Sequence, residues 1–207
     1  MKKIISLLII TVMMILSLAS CNNNSNNART KITEEGWNAL DKITNYTCNI
    51  SGIDYEFAFG TYHSRNYTDT IKITENSKEH SSIYGGDPET ITYHFLSESG
   101  EVYRLSKSSD GTWQAKTSKW THISLLEYIT YSTVKFDDLT YSIKNKCYTA
   151  SITDEYGTIT FTYHFKNGSL IKYEERSSDP DDKYKETVTF SNIGTTTVTL
   201  PEYTFKD

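Results

Sequence analysis

Histidine is the side chain in this sequence best suited to bind a metal or move a proton near neutral pH. The chain has five histidines, and two of them, His94 and His164, lie in identical Thr-Tyr-His-Phe segments. A zinc site would need a carboxylate or a third imidazole beside such a pair. Both histidines alternate with threonines, which places them on the polar face of a strand. We therefore expect solvated histidines and no metal site.

Acidic residues cluster in Asp179-Pro180-Asp181-Asp182. This cluster lacks the alternating ligand spacing and the closing glutamate of a calcium-binding loop, so we interpret it as a solvated turn. The sequence also contains no nucleophile-elbow serine, phosphate-binding loop, dinucleotide-binding glycine motif or His-Glu-x-x-His segment. These motifs give no support for an enzyme, and we predict neither catalytic residues nor a cofactor.

Cys21 has the clearest chemistry of any residue in the chain. Two lysines open an apolar run that ends at Leu18, and the small residues Ala19 and Ser20 follow. This is the pattern of a bacterial lipobox, in which residues 1–20 are removed as a signal peptide and Cys21 receives a diacylglyceryl group. The apolar run is shorter than the about 20 residues of a membrane-spanning helix. We expect a lipid-anchored protein on the extracytoplasmic face of a cell membrane or envelope.

The charge of the chain limits its partners. Removing residues 1–20, which contain two lysines and no acid, takes the formal net charge from −5 to −7. We therefore expect no nucleic-acid partner, since phosphate contacts need clustered Lys and Arg. Membrane attachment is expected through the acyl chains on Cys21. The asparagine-rich residues 21–30 indicate a flexible tether, and residues 31–207 indicate a single β-rich domain.

Two further cysteines, Cys48 and Cys147, lie in strand-like segments of a chain expected to face an oxidising compartment. A disulfide between them would close a long loop and stabilise the fold. Buried free thiols are the alternative, because unpaired cysteines are common in strand interiors. The sequence leaves both states open.

Two short helices are predicted from their capping residues. Thr33 can cap a helix that continues to about Ile43, with glutamates in its first turn and an apolar face that includes Trp37. Ser124-Leu125-Leu126-Glu127 has the spacing of a capping box and predicts a second helix to about Tyr131.

Almost all other segments alternate apolar and polar residues, as half-buried strands do. The 16 tyrosines and the low proline content favour sheet over helix bundle. We predict a mainly β (α+β) fold: a strongly curved antiparallel sheet or half-barrel of about ten or more strands, with both helices packed on its concave face. The predicted strands are residues 46–60, 67–75, 78–84, 90–96, 101–106, 112–116, 139–144, 147–153, 158–165, 170–176, 184–192 and 196–200.

Several segments resemble one family of bacterial envelope proteins. They are Trp37-Asn38-Ala39-Leu40 leading into Ile43–Thr47, the turn Asp110-Gly111-Thr112-Trp113, and the final segments Thr189–Gly194 and Val198–Pro201. With these segments the chain resembles the lipoprotein-carrier superfamily, the LolA-like and LppX/LprG-like lipid-binding proteins. The resemblance implies an N-terminal helix, a curved sheet with a helix-covered apolar face, and a lipid ligand. The mid-chain helical segment is short here, so the cover over any cavity is expected to be small.

The aromatic residues at strand spacing are candidates for an apolar ligand face, although such residues usually fill a core. A first hypothesis is a non-catalytic binding module for a lipid or other apolar ligand, which predicts an accessible apolar cavity between sheet and helices. The alternative is a surface interaction protein for a protein or glycan partner, which predicts a filled core and an exposed aromatic patch. The candidate ligand-face residues are Trp37, Phe57, Phe59, Tyr93, Phe95, Phe161, Tyr163 and Phe165.

Overall fold

One twelve-stranded sheet dominates the protein. The computed structural model describes residues 30–58, 61–119, 124–130, 134–179 and 183–205, without the side chains of residues 56–58, 61, 62 and 130. The predicted signal peptide, Cys21 and most of the tether lie outside these residues. The strands are β1 (Tyr46–Ala58), β2 (Thr61–Ile73), β3 (Ser77–Tyr84), β4 (Thr90–Leu96), β5 (Val102–Lys107), β6 (Trp113–Thr117), β7 (Thr140–Ser142), β8 (Cys147–Thr153), β9 (Thr158–Lys166), β10 (Ser169–Ser177), β11 (Tyr184–Ser191) and β12 (Tyr203–Phe205).

The strand order is β12-β6-β5-β4-β3-β2-β1-β11-β10-β9-β8-β7, with β12 and β7 at the two edges. Every neighbouring pair is antiparallel except β12 and β6, which run parallel. Two meanders, β1 to β6 and β7 to β11, are thus joined where β1 pairs with β11 from Thr47 to Asp54. The sheet is curved and unclosed, which confirms the predicted mainly β fold with few short helices.

The two helices form as their capping residues predict. Helix α1 (Glu34–Asn38) continues as a 3₁₀ turn (Ala39–Lys42), and the Thr33 hydroxyl accepts a hydrogen bond from the Gly36 N–H at 3.2 Å. Helix α2 (Leu125–Thr130) follows Ser124, whose hydroxyl accepts from the Glu127 N–H at 3.1 Å. A second 3₁₀ turn covers Phe136–Asp138. No helix in the described part of the chain is both long and apolar enough to cross a membrane.

A large core lies between the helices and one face of the sheet, which we call the helix face. The sheet contributes alternate residues of β1, β2 and β8–β11 to this core, and the helices contribute Trp37, Leu40, Leu125 and Ile129. The Leu125 N–H donates to the Ile43 carbonyl at 2.8 Å, which ties α2 to the end of the first helical segment. Burial of these side chains stabilises the fold by roughly 1.5–3 kcal/mol for each large apolar residue.

A second, smaller core lies on the other side of the sheet, which we call the outer face. Its buried residues are Phe95, Leu105 and Ala115, with Leu200 packed against them. Directly paired residues lie on the same face of a sheet. Ile73 of the helix-face core pairs with Lys78, and Lys78 pairs with His94, so the helix face is polar on β3 and β4. The apolar side of the sheet therefore switches from the helix face to the outer face between β2 and β4.

Two strand predictions need correction. Strand β2 begins at Thr61 and not at residue 67, because β1 and β2 stay paired along their whole length. Residues 196–200 are not a strand. The backbone of Thr196 hydrogen-bonds to the side chain of Asn45 and not to a neighbouring strand. The Asn45 Oδ1 accepts from the Thr196 N–H at 2.7 Å, and its Nδ2 donates to the Thr196 carbonyl at 3.1 Å.

Candidate binding surface

Aromatic rings collect on the outer face beside the β12 edge of the sheet. Phe95 lies at the centre, with ring centroids 5.5 Å from Tyr103 and 5.2 Å from Tyr203. Tyr103 contacts Phe205 at 5.1 Å, and Trp113 meets Tyr93 edge-on at 5.2 Å. We call this set the aromatic surface: Tyr93, Phe95, Tyr103, Trp113, Tyr203 and Phe205.

The aromatic surface is only partly covered. Phe95 is buried, Phe205 is 60% exposed, and the remaining rings are half-buried. Two of the rings belong to strand β12, which pairs in parallel with β6. Tyr203 lies opposite Trp113, and Phe205 lies opposite Ala115. Contact between the rings fixes their positions, so little side-chain entropy remains to be lost when a partner binds. The arrangement suits recognition of an apolar or flat molecular surface.

The ligand-face residues predicted from the sequence separate into two groups. Trp37, Phe161, Tyr163 and Phe165 lie together in the helix-face core. Tyr93 and Phe95 lie on the outer face instead, within or against the second core. The side chain of Phe57 and the whole of Phe59 lie outside the described residues. The eight residues therefore do not share one face.

The rings of the helix-face core pack against one another. Trp37 is 2% exposed and meets Tyr163 edge-on with ring centroids 5.1 Å apart. Tyr163 lies 5.4 Å from Tyr173, and its hydroxyl donates to the Ile129 carbonyl of α2 at 3.3 Å. These described side chains fill the space between sheet and helices. An open pocket of about 620 Å³ occurs elsewhere, at residues 64–66 and 84–87, and its lining is mainly polar.

Carboxylates and tyrosines form a network at one end of the helix face. Glu175, which is 3% exposed, lies directly opposite Glu186 and accepts hydrogen bonds from the hydroxyls of Tyr173 and Tyr184. Glu186 accepts from the Tyr67 hydroxyl at 2.8 Å. Burial raises the pKa of Glu186, and the nearby acids Glu175, Asp69 and Asp54 add to that rise. Among the described residues, no group of three or more His, Cys, Asp or Glu could hold a metal ion.

The disulfide between Cys48 and Cys147 is not formed, and both buried thiols are free. Cys48 lies on the helix face of β1, whereas strand alternation places Cys147 on the outer face of β8. Three strands separate β1 from β8 in the sheet, so the two thiols cannot meet. Burial raises the pKa of the Cys48 thiol to about 12, which makes this thiol unreactive in the folded protein.

His94 and His164 are also far apart. Five strands lie between β4 and β9, and the two histidines are on opposite faces of the sheet. The His164 Nε2 lies 2.9 Å from the Glu174 Oε2 in a half-exposed pair. Burial, together with the nearby Lys78, Arg104 and His80, lowers the pKa of His94. The two Thr-Tyr-His-Phe segments are therefore equivalent in sequence and not in position.

Sequence reasoning did not single out Tyr103, Trp113, Tyr203 and Phe205 as binding residues. Tyr103 and Trp113 each lie two positions before an apolar residue of the same strand, Leu105 and Ala115, and this spacing predicts a shared apolar face. Nothing local predicts that a three-residue strand near the end of the chain lies beside β6.

Comparison with known proteins leaves the family open. No family model matches the chain, and no curated protein matches it. A DUF1329 family protein from Desulfovibrio piger is similar in structure, with 9% identity over 84% of this chain and 96% of that one and a TM-score of 0.29. A domain described as an outer membrane lipoprotein-sorting protein, from Vibrio parahaemolyticus, shows 10% identity over 81% and 92% with a TM-score of 0.28. Similarities of this size support no conclusion about family or function.

Proposed function

We propose that this chain is a non-catalytic binding protein, anchored on the extracytoplasmic side of a membrane through a lipidated Cys21, that uses the aromatic surface to contact a protein or glycan partner. The observation that carries the proposal is the partial exposure of clustered rings, with Phe205 60% exposed. Large exposed apolar patches on a folded protein commonly mark interaction sites. Tyr and Trp are also among the residues that contribute most to binding energy at interfaces.

The anchor is supported by the sequence. Leu18-Ala19-Ser20-Cys21 follows an apolar run with two lysines at its start, and the tether after Cys21 is rich in asparagine. A diacylglyceryl group gives two acyl chains, and two chains hold a protein stably at a membrane where one chain does not. The tether would then hold the folded domain close to the membrane surface.

An apolar ligand such as a lipid is the second candidate for the same aromatic surface. The observation that favours a lipid is the phenyl ring of Phe205, which is exposed and has no polar atom to offer to a hydrogen-bonding partner. The buried Phe95, which contacts Tyr203, extends the apolar area inward. The resemblance of the sequence segments to lipid-binding envelope proteins also favours a lipid.

The first experiment is native mass spectrometry of residues 22–207, purified without detergent, followed by solvent extraction and lipid analysis. The same protein is then tested for binding to an array of polysaccharides and extracytoplasmic proteins. Phe205→Ala and Trp113→Ala remove rings of the aromatic surface, and Ile143→Ala is the matched control, because Ile143 is 80% exposed at another place in the fold.

A bare protein mass, together with array binding that Phe205→Ala weakens and Ile143→Ala does not, is the expected result. A defined lipid that co-purifies with the wild type and is lost in Phe205→Ala would make the second candidate correct. Binding that both alanine variants at the aromatic surface retain, with melting curves like the wild type, would contradict this use of the surface.

A further inference from the structure

A line of basic side chains crosses four strands on the helix face, away from the aromatic surface. Lys78 of β3 is opposite His94 of β4, His94 is opposite Arg104 of β5, and Arg104 is opposite Lys116 of β6. Neighbouring strands lie about 4.8 Å apart, so the line is about 14 Å long. We call these four residues the basic row.

The helix face around the basic row contains no acidic residue within β3–β6. Alternation along the four strands, fixed by their register, assigns every residue of that face. The set is Lys78, His80, Ser82, Tyr84, Thr90, Thr92, His94, Leu96, Val102, Arg104, Ser106, Gln114 and Lys116. Local charge is therefore positive in a chain whose net charge is −5.

The lysines and the arginine of the basic row are not neutralised from elsewhere in the described part of the chain. The ion pairs found there join Lys72 with Glu79, His80 with Asp69, and Glu174 with both His164 and Lys172. None of these pairs includes Lys78, Arg104 or Lys116, and Arg104 and Lys116 are exposed. Like charges directly opposite on neighbouring strands destabilise a sheet. Arg104 and Lys116 are such a pair. Their repulsion costs stability in the free protein, and an anionic ligand would offset that cost.

The side chains of the row suit phosphate oxygens. An arginine guanidinium binds phosphate with two parallel hydrogen bonds, and lysine binds it as a point charge. Thr92 and Ser106 lie on the same face, two positions along β4 and β5 from His94 and Arg104, and their hydroxyls can donate to the same oxygens. A single phosphate group reaches two neighbours of the row at most, whereas the row extends across four strands. Its length therefore fits a chain of phosphates.

We propose that the basic row is a binding site for a linear polymer with phosphate groups in its backbone, which runs across strands β3 to β6 on the helix face. This site goes beyond the proposed function, because it uses the other face of the sheet and an anionic ligand. Nucleic acid is disfavoured as that polymer, because single-strand binding also stacks bases on aromatic rings, and Tyr84 is the one aromatic residue on this face within β3–β6.

The test measures binding of long-chain inorganic polyphosphate to residues 22–207 over a range of salt concentrations. Arg104→Gln with Lys116→Gln removes two exposed charges of the row. Lys107→Gln is the matched control, because Lys107 is an exposed lysine on the same strand as Arg104 and points to the outer face. Each lost phosphate contact lowers the slope of log affinity against log salt by about one.

We expect the double variant to bind polyphosphate at least about tenfold more weakly, with a slope lower by about two, while Lys107→Gln binds like the wild type. Arg104→Gln alone should show half of the slope change, which keeps the test valid if the double variant unfolds. The proposal is wrong if inorganic orthophosphate competes as well as the polymer, if vesicles of anionic phospholipid are the only target, or if single-stranded DNA binds more tightly than polyphosphate. Equal binding by all variants would also overturn it.

Discussion

Several tyrosine hydroxyls in this protein hydrogen-bond to acceptors inside the fold. Tyr148 exchanges hydrogen bonds with the backbone of Ile32 at 3.1 Å, and Tyr163 donates to a carbonyl of α2. Tyr67 donates to Glu186 from above Gly52, where any side chain would collide with its ring. A buried polar group without a partner costs about 1–3 kcal/mol. Tyr67, Tyr148 and Tyr163 therefore satisfy polar groups beside an aromatic core.

Replacing Glu186 with glutamine should stabilise the protein at neutral pH. The pKa of Glu186 is raised by burial, so its ionised form costs stability once the pH exceeds the ordinary value of 4.5. The glutamine side chain would still accept the hydrogen bond from Tyr67 and would carry no charge. We expect the midpoint of thermal unfolding to rise by a few degrees at pH 7 and to change little at pH 4, where the glutamate is largely protonated in both states.

Glu174→Gln is the matched control, because Glu174 lies on the neighbouring strand and its pKa is shifted in the opposite direction. Burial alone would raise its pKa, but hydrogen bonds from His164 and Lys172 hold the pKa of Glu174 below its ordinary value. Its charge therefore contributes stability that is present at pH 7 and lost as the pH falls. Glu174→Gln should lower the melting midpoint at pH 7. A Glu186→Gln protein that melts below the wild type at pH 7 would contradict the assignment.

At the scale of the element, alternation and caps predicted nearly all strands and both helices, and they did not predict which face of a strand is buried. Ile91, Tyr93 and Phe95 of β4 repeat the pattern of Ile159, Phe161 and Tyr163 of β9. Register then places the two sets on opposite faces of the sheet. An alternating strand has two faces by its own geometry, and only its neighbours decide which one is covered. The basic row was missed for the same reason, since its members are adjacent only across strands.

The turn between β9 and β10 consists of Asn167-Gly168, and it depends on a backbone conformation that glycine tolerates best. Asn167 has φ 52° and Gly168 φ 81°, the left-handed values that a two-residue hairpin requires. Gly168→Val should destabilise the protein by about 2 kcal/mol, because a β-branched residue is strained there. Urea unfolding would measure the loss. Ser169→Val is the control: the same side chain one residue later lies in β10, where extended backbone suits it, and an equal loss in both variants would contradict the explanation.

At the scale of the whole molecule, the two halves of the sheet bury opposite faces. The half near β7 to β11 buries its helix face, and the half near β3 to β6 buries its outer face. Each half therefore leaves one face free, and the halves differ in what they expose. The aromatic surface and the basic row occupy opposite faces of the same half, so one ligand does not block the other.

The folded domain is held together without a covalent link between distant strands. Cys48 and Cys147 are both buried and free, on opposite faces of strands that three others separate. Intact-mass measurement of residues 22–207 after alkylation should therefore show no label on the native protein and two labels after denaturation without reductant. Adding reductant should leave the midpoint of thermal unfolding unchanged, because the hydrogen-bonded sheet and its two cores supply the stability. Labels that appear only after reduction would mean that the strands around Cys48 and Cys147 pair differently, and the strand order from β1 to β8 would then be wrong.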